Sequence, residues 1–228
     1  MNNCAEAILL GGGSGSRLKP FSSYTSKHLL PIDNVPMILY PLKNLQLIGI
    51  KKVFLIINEE HKHQWKKLIN FYIFEMEIIL VIQEKALGIP DAMNQCKDYI
   101  SEENFIVALG DNLIIATNFL NNFKSIESKQ RLTICGFNVS NPQEFGVAKF
   151  DDNNKIIEVV EKPTKSPSKI AIAGFYRFPK NAFDYINNLE FSNRGELEIA
   201  DLINIYIKKD LCDLVSVSSS PSDYWIDT

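Results

Sequence analysis

At 228 residues, 46% hydrophobic and 22% charged, the chain has a globular composition and is long enough to bury one sizeable core. Its formal net charge of -3 leaves no basic footprint for nucleic acid or for an anionic membrane, and no apolar run reaches membrane-spanning length. Cys4, Cys96, Cys135 and Cys212 lie far apart and form no C-x-x-C pair, and the first residues lack a signal-peptide pattern. Free thiols in a reducing cytoplasm are therefore expected rather than disulfides or zinc.

Residues 4–10 read as a buried strand that runs into Gly11-Gly12-Gly13-Ser14-Gly15-Ser16-Arg17. Glycines packed this closely let backbone N–H groups close on an anion, and Arg17 adds a planar fork of fixed positive charge. Two familiar phosphate loops are excluded. A Walker A loop needs Lys-Ser/Thr after its last glycine, where Ser16-Arg17 stands. A dinucleotide fingerprint needs a third glycine where Leu18 stands. A mere connector would seldom tolerate the backbone entropy these glycines lose on ordering. The loop reads as a holder of a nucleoside triphosphate whose nucleotidyl group is transferred.

From Gly11 to Val35 no periodic pattern is sustained, and Pro20 and Pro31 interrupt it; a connection of this length is usually functional. It contains Ser26-Lys27-His28-Leu29-Leu30-Pro31, a second basic site. A helix is predicted over 36–48, opened by Pro36 and ended by Gly49. Strands at 53–58, 77–82, 105–109 and 132–138 then alternate with helices at 59–71, 90–99 and 117–127, which predicts an α/β fold with a mainly parallel sheet. His61 and His63 open a charged helix and read as a solvated face. Phe71, Tyr72 and Phe74 read as core or interface.

After residue 140 the rhythm changes. Val147–Phe150 and Ile156–Val160 flank Asp151-Asp152-Asn153-Asn154 and read as a hairpin. Residues 170–178 and 211–217 read as strands, 180–188 and 196–208 as helices. No linker or repeat divides the chain, so a single domain is expected. Its residues 1–140 form a nucleotide-binding half, and residues 141–228 add strands and a lip over the carboxyl edge of the sheet, where open α/β folds bind ligands. Asp111, in Leu109-Gly110-Asp111-Asn112, lies just past a strand at that edge and suits either a metal or a helix N-cap.

The strings GGSGSRLKP (12–20), SKHLLPI (26–32), PMILYPL (36–42) and LGDN (109–112), with FGVAKF (145–150), VVEKP (159–163), RGELEIAD (194–201) and YWIDT (224–228), carry a resemblance. The chain resembles the sugar-1-phosphate nucleotidylyltransferases, closest to the bacterial glucose-1-phosphate thymidylyltransferases. The resemblance implies a three-layer α/β/α sandwich with a mixed, mainly parallel central sheet, the nucleotide-diphospho-sugar transferase type. It implies joining of a pyrimidine nucleoside triphosphate, dTTP or UTP, to a sugar 1-phosphate such as glucose 1-phosphate, with release of pyrophosphate.

The resemblance also implies roles. Leu10 to Ser16 (Leu10, Gly11, Gly12, Gly13, Ser14, Gly15, Ser16) would bind the triphosphate, with Gln83 and Gly88 reading the base. Arg17 and Lys27 would act on the triphosphate, and Lys162 would grip the sugar phosphate. Gly146, Glu161, Gly174 and Arg194 would complete the sugar-phosphate site, and Asp111 and Asp227 would hold Mg2+. No nucleic acid or membrane partner is expected, and homo-oligomer formation stays open. An amide can rotate, so a cytidylyltransferase stays open at this point, as does a non-catalytic nucleotide-sensing relative. A glycosyltransferase is less favoured, since an Asp-x-Asp motif is missing.

Overall fold

The first strand, β1 (Glu6–Leu10), is buried almost throughout and has parallel neighbours on both sides. The computed structural model of the chain describes residues 4–13, 15, 18–115, 120, 123, 130–216 and 224–227. After β1 come a small ladder of β2 (Pro31–Ile32) with β3 (Val35–Pro36), then α1 (Leu39–Ile48), which Gly49 closes in left-handed conformation at φ 96°. β4 (Lys52–Ile57), α2 (Lys62–Phe71), β5 (Glu77–Ile82), α3 (Ile89–Asn94) and β6 (Asn104–Leu109) continue the alternation. α3 is shorter than the predicted 90–99, because beyond it Cys96, Lys97 and Tyr99 bond three residues back in tight turns.

β7 (Asn112–Ile115) follows Asp111 directly, so the helix N-cap reading of that residue is set aside. The predicted helix 117–127 falls mostly outside the described residues. β8 (Leu132–Asn138) forms at the predicted positions, and β9 (Gly146–Phe150) pairs antiparallel with β10 (Ile156–Glu161) as the expected hairpin. β11 (Ile170–Pro179), α4 (Ala182–Ile186), α5 (Ile199–Lys208), β12 (Cys212–Ser216) and β13 (Tyr224–Asp227) complete the described chain.

Among the described residues, nine strands share one mixed sheet, in the order β10-β9-β11-β6-β1-β4-β5, with β8 beside β11 and β12 beside β8. It is parallel from β6 through β5, antiparallel around β11, and parallel again between β8 and β12. Alternation along the central strands sends Ile8, Phe54, Ile56, Phe105 and Val107 to one face, with Met93 of α3, Phe183 of α4 and Tyr206 of α5. Ala7, Leu9, Val53, Leu55 and Ile106 go to the other, with Leu42 of α1 and Trp65 of α2. Strands buried on both faces read as unbroken apolar runs, and the result is a three-layer α/β/α sandwich.

Two details position the site. β11 carries an irregularity between Ala173 and Tyr176, where it meets both β8 and β6. Gly174 lies in it, and a Cβ there would come within 2.4 Å of the Leu109 side chain. β13 pairs antiparallel with β7, Asp227 opposite Asn112, which returns the end of the chain to the carboxyl edge of β6. His61 is buried, correcting the solvated-face reading, while His63 is exposed.

Candidate active site

The ends of β1, β4, β5 and β6 open onto one edge. Leu10 ends β1, and the next residue, Gly11, donates its N–H to the Ile56 carbonyl at 2.8 Å. Side chains crowd the loop from below: a Cβ on Gly11 would lie 3.0 Å from the Trp65 ring, and one on Gly12 would lie 3.1 Å from Asn58 Oδ1 and 3.6 Å from Gln83 Oε1. Gly13 and Gly15 hold φ of 121° and 53°, a region that suits glycine. Ser14, Ser16 and Arg17 lie outside the described residues.

Gln83 follows β5 and is buried; its Nε2 donates to Asp91 Oδ2 at 2.9 Å. Gly88, at φ 103°, abuts the backbone of Leu197, whose carbonyl oxygen would be 2.1 Å from a Cβ added there. Leu197 is thus enough to require the glycine. Asp91 was missed in the sequence, where it reads as an ordinary first-turn acid of a short helix.

Gly110 seats the turn after β6 against β1, giving its N–H to the Leu10 carbonyl at 2.8 Å. Asp111 is then paired with the Lys27 ammonium. Burial alone would raise the Asp111 pKa, but Lys27, His28 and the hydrogen bonds from Lys27 and Asn112 outweigh it, so its carboxyl stays below the ordinary value. His28, beside it, is pushed down to about 4, chiefly by burial.

Asn112 binds these parts together, and sequence reading assigned it no role. Its Nδ2 donates to Asp111 Oδ1 at 3.2 Å and to Asp227 Oδ1 at 2.9 Å. Its Oδ1 accepts from the Gly174 N–H at 2.7 Å and from Trp225 Nε1 at 2.8 Å. Burial, and next the neighbouring Asp111 carboxylate, push Asp227 up to about 6. Two carboxylates converging on one amide, one of them held above its usual range by burial and then by the other, form a place where added positive charge is welcome. No cluster of three or more His, Cys, Asp or Glu suited to a metal occurs among the described residues. A pair of acids without a third protein ligand fits magnesium, which is usually bound by one or two carboxylates together with water and substrate phosphates.

Beyond this pair lies a cleft of about 570 Å³. Asp111, Asn112 and Asp227 line it together with Gly146, Glu161, Lys162 and Gly174, all singled out from sequence, and with Gln143, Glu144, Tyr176 and Trp225. Gly146 pairs with Glu161 in the hairpin, and a Cβ there would sit 3.2 Å from Glu161 Oε2. Lys162, just past β10, has φ 40°, a strained backbone for a lysine of the kind that collects at functional sites. Its Nζ lies 4.0 Å from Glu161 Oε1. Burial raises the Glu161 pKa against the pull of Lys162 and Arg194.

Arg194 does not line the cleft and reaches it through Glu161, at 3.5 Å. Its main partner is Glu198, which takes Nη2 at 2.5 Å and Nε at 3.1 Å and is itself buttressed by the Ser192 hydroxyl at 2.6 Å.

A glycine loop, a carboxylate pair and a polar cleft arranged along one sheet edge are suited to phosphorus chemistry between two substrates. Residues 6–228 match the family model described as nucleotidyl transferase, and the chain belongs to that family. It is 34% identical over 205 residues to a glucose-1-phosphate thymidylyltransferase of Neisseria meningitidis, covering 89% of this chain and 71% of the relative. The same enzyme name attaches to a Xanthomonas campestris relative, 34% identical over 226 residues, with 98% and 76% covered. Among solved structures, a Bacillus anthracis protein described as a glucose-1-phosphate thymidylyltransferase in complex with sucrose superposes with a TM-score of 0.87 at 33% identity, covering 98% and 89%. A UDP-glucose pyrophosphorylase complexed with UDP-glucose, at 21% identity and a TM-score of 0.85 over 97% and 92%, shares the fold.

Proposed function

We propose that the chain transfers the nucleotidyl group of dTTP or UTP to a sugar 1-phosphate, glucose 1-phosphate first among acceptors. The observation that carries this reading is the Asp111–Asn112–Asp227 arrangement, which lines one cleft with Lys162. Residues 1–140 serve the nucleotide and residues 141–228 the sugar phosphate. Loop N–H groups from Gly12 to Ser16, with Arg17, hold the β- and γ-phosphates. Lys162 and Arg194 bring in the sugar phosphate, whose oxygen attacks the α-phosphorus in line as the bond to the bridging oxygen breaks and pyrophosphate leaves. Glu161 accepts hydrogen bonds from sugar hydroxyls.

Asp111 and Asp227 would hold magnesium, which neutralises charge on the phosphates as they meet. Arg17 would stabilise the negative charge growing on the leaving pyrophosphate. Lys27 keeps Asp111 ionised and shares that field. Cytoplasmic residence accompanies this reading, and the four cysteines, all free, suit a reducing compartment. The test is pyrophosphate release from a matrix of triphosphates and sugar 1-phosphates with magnesium. Release confined to dTTP or UTP with a hexose 1-phosphate supports the reading, and no release from any pair overturns it.

A further inference from the structure

We propose that Asp91 sets base selectivity by locking the orientation of the Gln83 amide, so that the site takes thymine or uracil and rejects cytosine. The inference deepens the function proposed above and rests on Gln83 being the base-reading residue. A primary amide is nearly symmetric in shape but opposite in chemistry at its two ends, one an acceptor and the other a donor of two hydrogens. Thymine and uracil present an N3–H donor beside the O4 acceptor. Cytosine presents the N3 acceptor beside the N4 amine. A glutamine serves the first pair with its oxygen on N3 and its nitrogen on O4, and serves the second only after turning over. Selectivity is therefore a question of what fixes the amide.

In this chain a carboxylate does so. Gln83 Nε2 donates to Asp91 Oδ2 at 2.9 Å. Turning the amide over would set Gln83 Oε1 against a carboxylate oxygen, with two acceptors in contact and no proton between them. The Oε1 atom is on the loop side, 3.6 Å from where a Cβ of Gly12 would stand. The second Nε2 hydrogen stays available for O4. Gln83 is buried, so water cannot easily replace a lost partner. The elements that hold the two residues are themselves fixed. Gln83 N–H bonds to the Ile57 carbonyl at 2.9 Å, and Asp91 sits in the first turn of α3, behind Pro90 and the bridge from Gly88 to Leu197.

Binding of dTTP, UTP and CTP with magnesium, measured by calorimetry on the intact chain, tests this without knowledge of the sugar. The parent protein should bind dTTP and UTP alike and CTP about 10- to 100-fold more weakly, the discrimination typical of a bidentate amide–base pair. Asp91→Asn, whose own amide can face Gln83 with either end, and Asp91→Ala should each bring the CTP affinity to within about threefold of dTTP, a change of about 3- to 30-fold in the ratio. Melting temperatures report separately on folding, and the ratio, not the absolute affinity, is the readout. An unchanged CTP-to-dTTP ratio in both variants, or a parent protein that binds CTP as tightly as dTTP, overturns the proposal. Gln83→Ala separates the two levels. If it leaves the ratio unchanged, Gln83 does not read the base; if it erases the ratio while the Asp91 variants keep it, the base reading stands and the lock is wrong.

Discussion

Asn112 donates one side-chain hydrogen bond to Asp227, 115 residues further along the chain, at 2.9 Å. That bond, with the pairing of β7 and β13, carries the last described strand to the catalytic edge. The same side chain accepts from Gly174 in the irregular stretch of β11 and from the Trp225 indole. One buried amide therefore ties the two proposed metal ligands to the floor of the cleft.

Asn112→Ala leaves the Gly174 N–H and the Trp225 indole without their acceptor. The expected loss is about 1–3 kcal/mol of stability, typical of buried polar groups left unpaired, seen as a lowered urea midpoint. Trp225 emission should shift to the red as the indole meets water. An unchanged midpoint and emission would show that the bonds do not hold β13 in place.

On the proposed function, Asp111→Asn removes a metal-holding carboxylate and Arg17→Ala removes a guanidinium that binds the triphosphate. Steady-state kinetics should show kcat falling roughly 10²–10³-fold with the circular dichroism spectrum kept. Near-parent turnover in either variant removes that residue from the mechanism.

Glu198 grips the Nε/Nη2 side of Arg194, whose Nη2 also lies 3.5 Å from Glu161 Oε1 of the cleft lining. Glu198→Ala should raise KM for the sugar 1-phosphate about 10-fold while KM for the triphosphate stays put, the pattern of a lost supporting contact behind a substrate-binding group. A lowered KM would mean that Glu198 withholds Arg194 from substrate.

Acid should weaken the fold through Glu6. Burial works against its ionised form, yet the N–H groups of Glu102 and Ser101 and the Ser101 hydroxyl outweigh it and hold the pKa below the usual 4.5. A carboxyl depressed in the folded state contributes stability above its unfolded pKa and loses that contribution as pH falls through the folded value. Glu6→Gln should accordingly flatten the fall of stability below about pH 4.5, followed by urea unfolding across pH. A parallel fall in parent and variant would contradict this.

Much of this molecule is legible in its sequence where local pattern and burial coincide. The unbroken apolar run Val53–Ile57 of β4 announces a strand covered on both faces, and the Asp151–Asn154 turn announces the β9–β10 hairpin. The β7–β13 ladder was not legible, because a four-residue strand has almost no periodicity and its partner lies more than a hundred residues away. The glycine loop and Asp111 were singled out from residue type and position at strand ends, and Lys162 through the family resemblance. Asn112 and Asp91 were not, since each acts by orienting another side chain, and that relation exists only once the chain has folded.

The central claim is nucleotidyl transfer to a sugar 1-phosphate, and its most direct measurement is pyrophosphate released from dTTP with and without glucose 1-phosphate in the presence of magnesium. The account predicts release only when both substrates are present, matched by an equal amount of nucleotide-diphosphate sugar and abolished by chelating the metal. Pyrophosphate release that ignores the sugar phosphate, or no release with any hexose 1-phosphate and either dTTP or UTP, would contradict it.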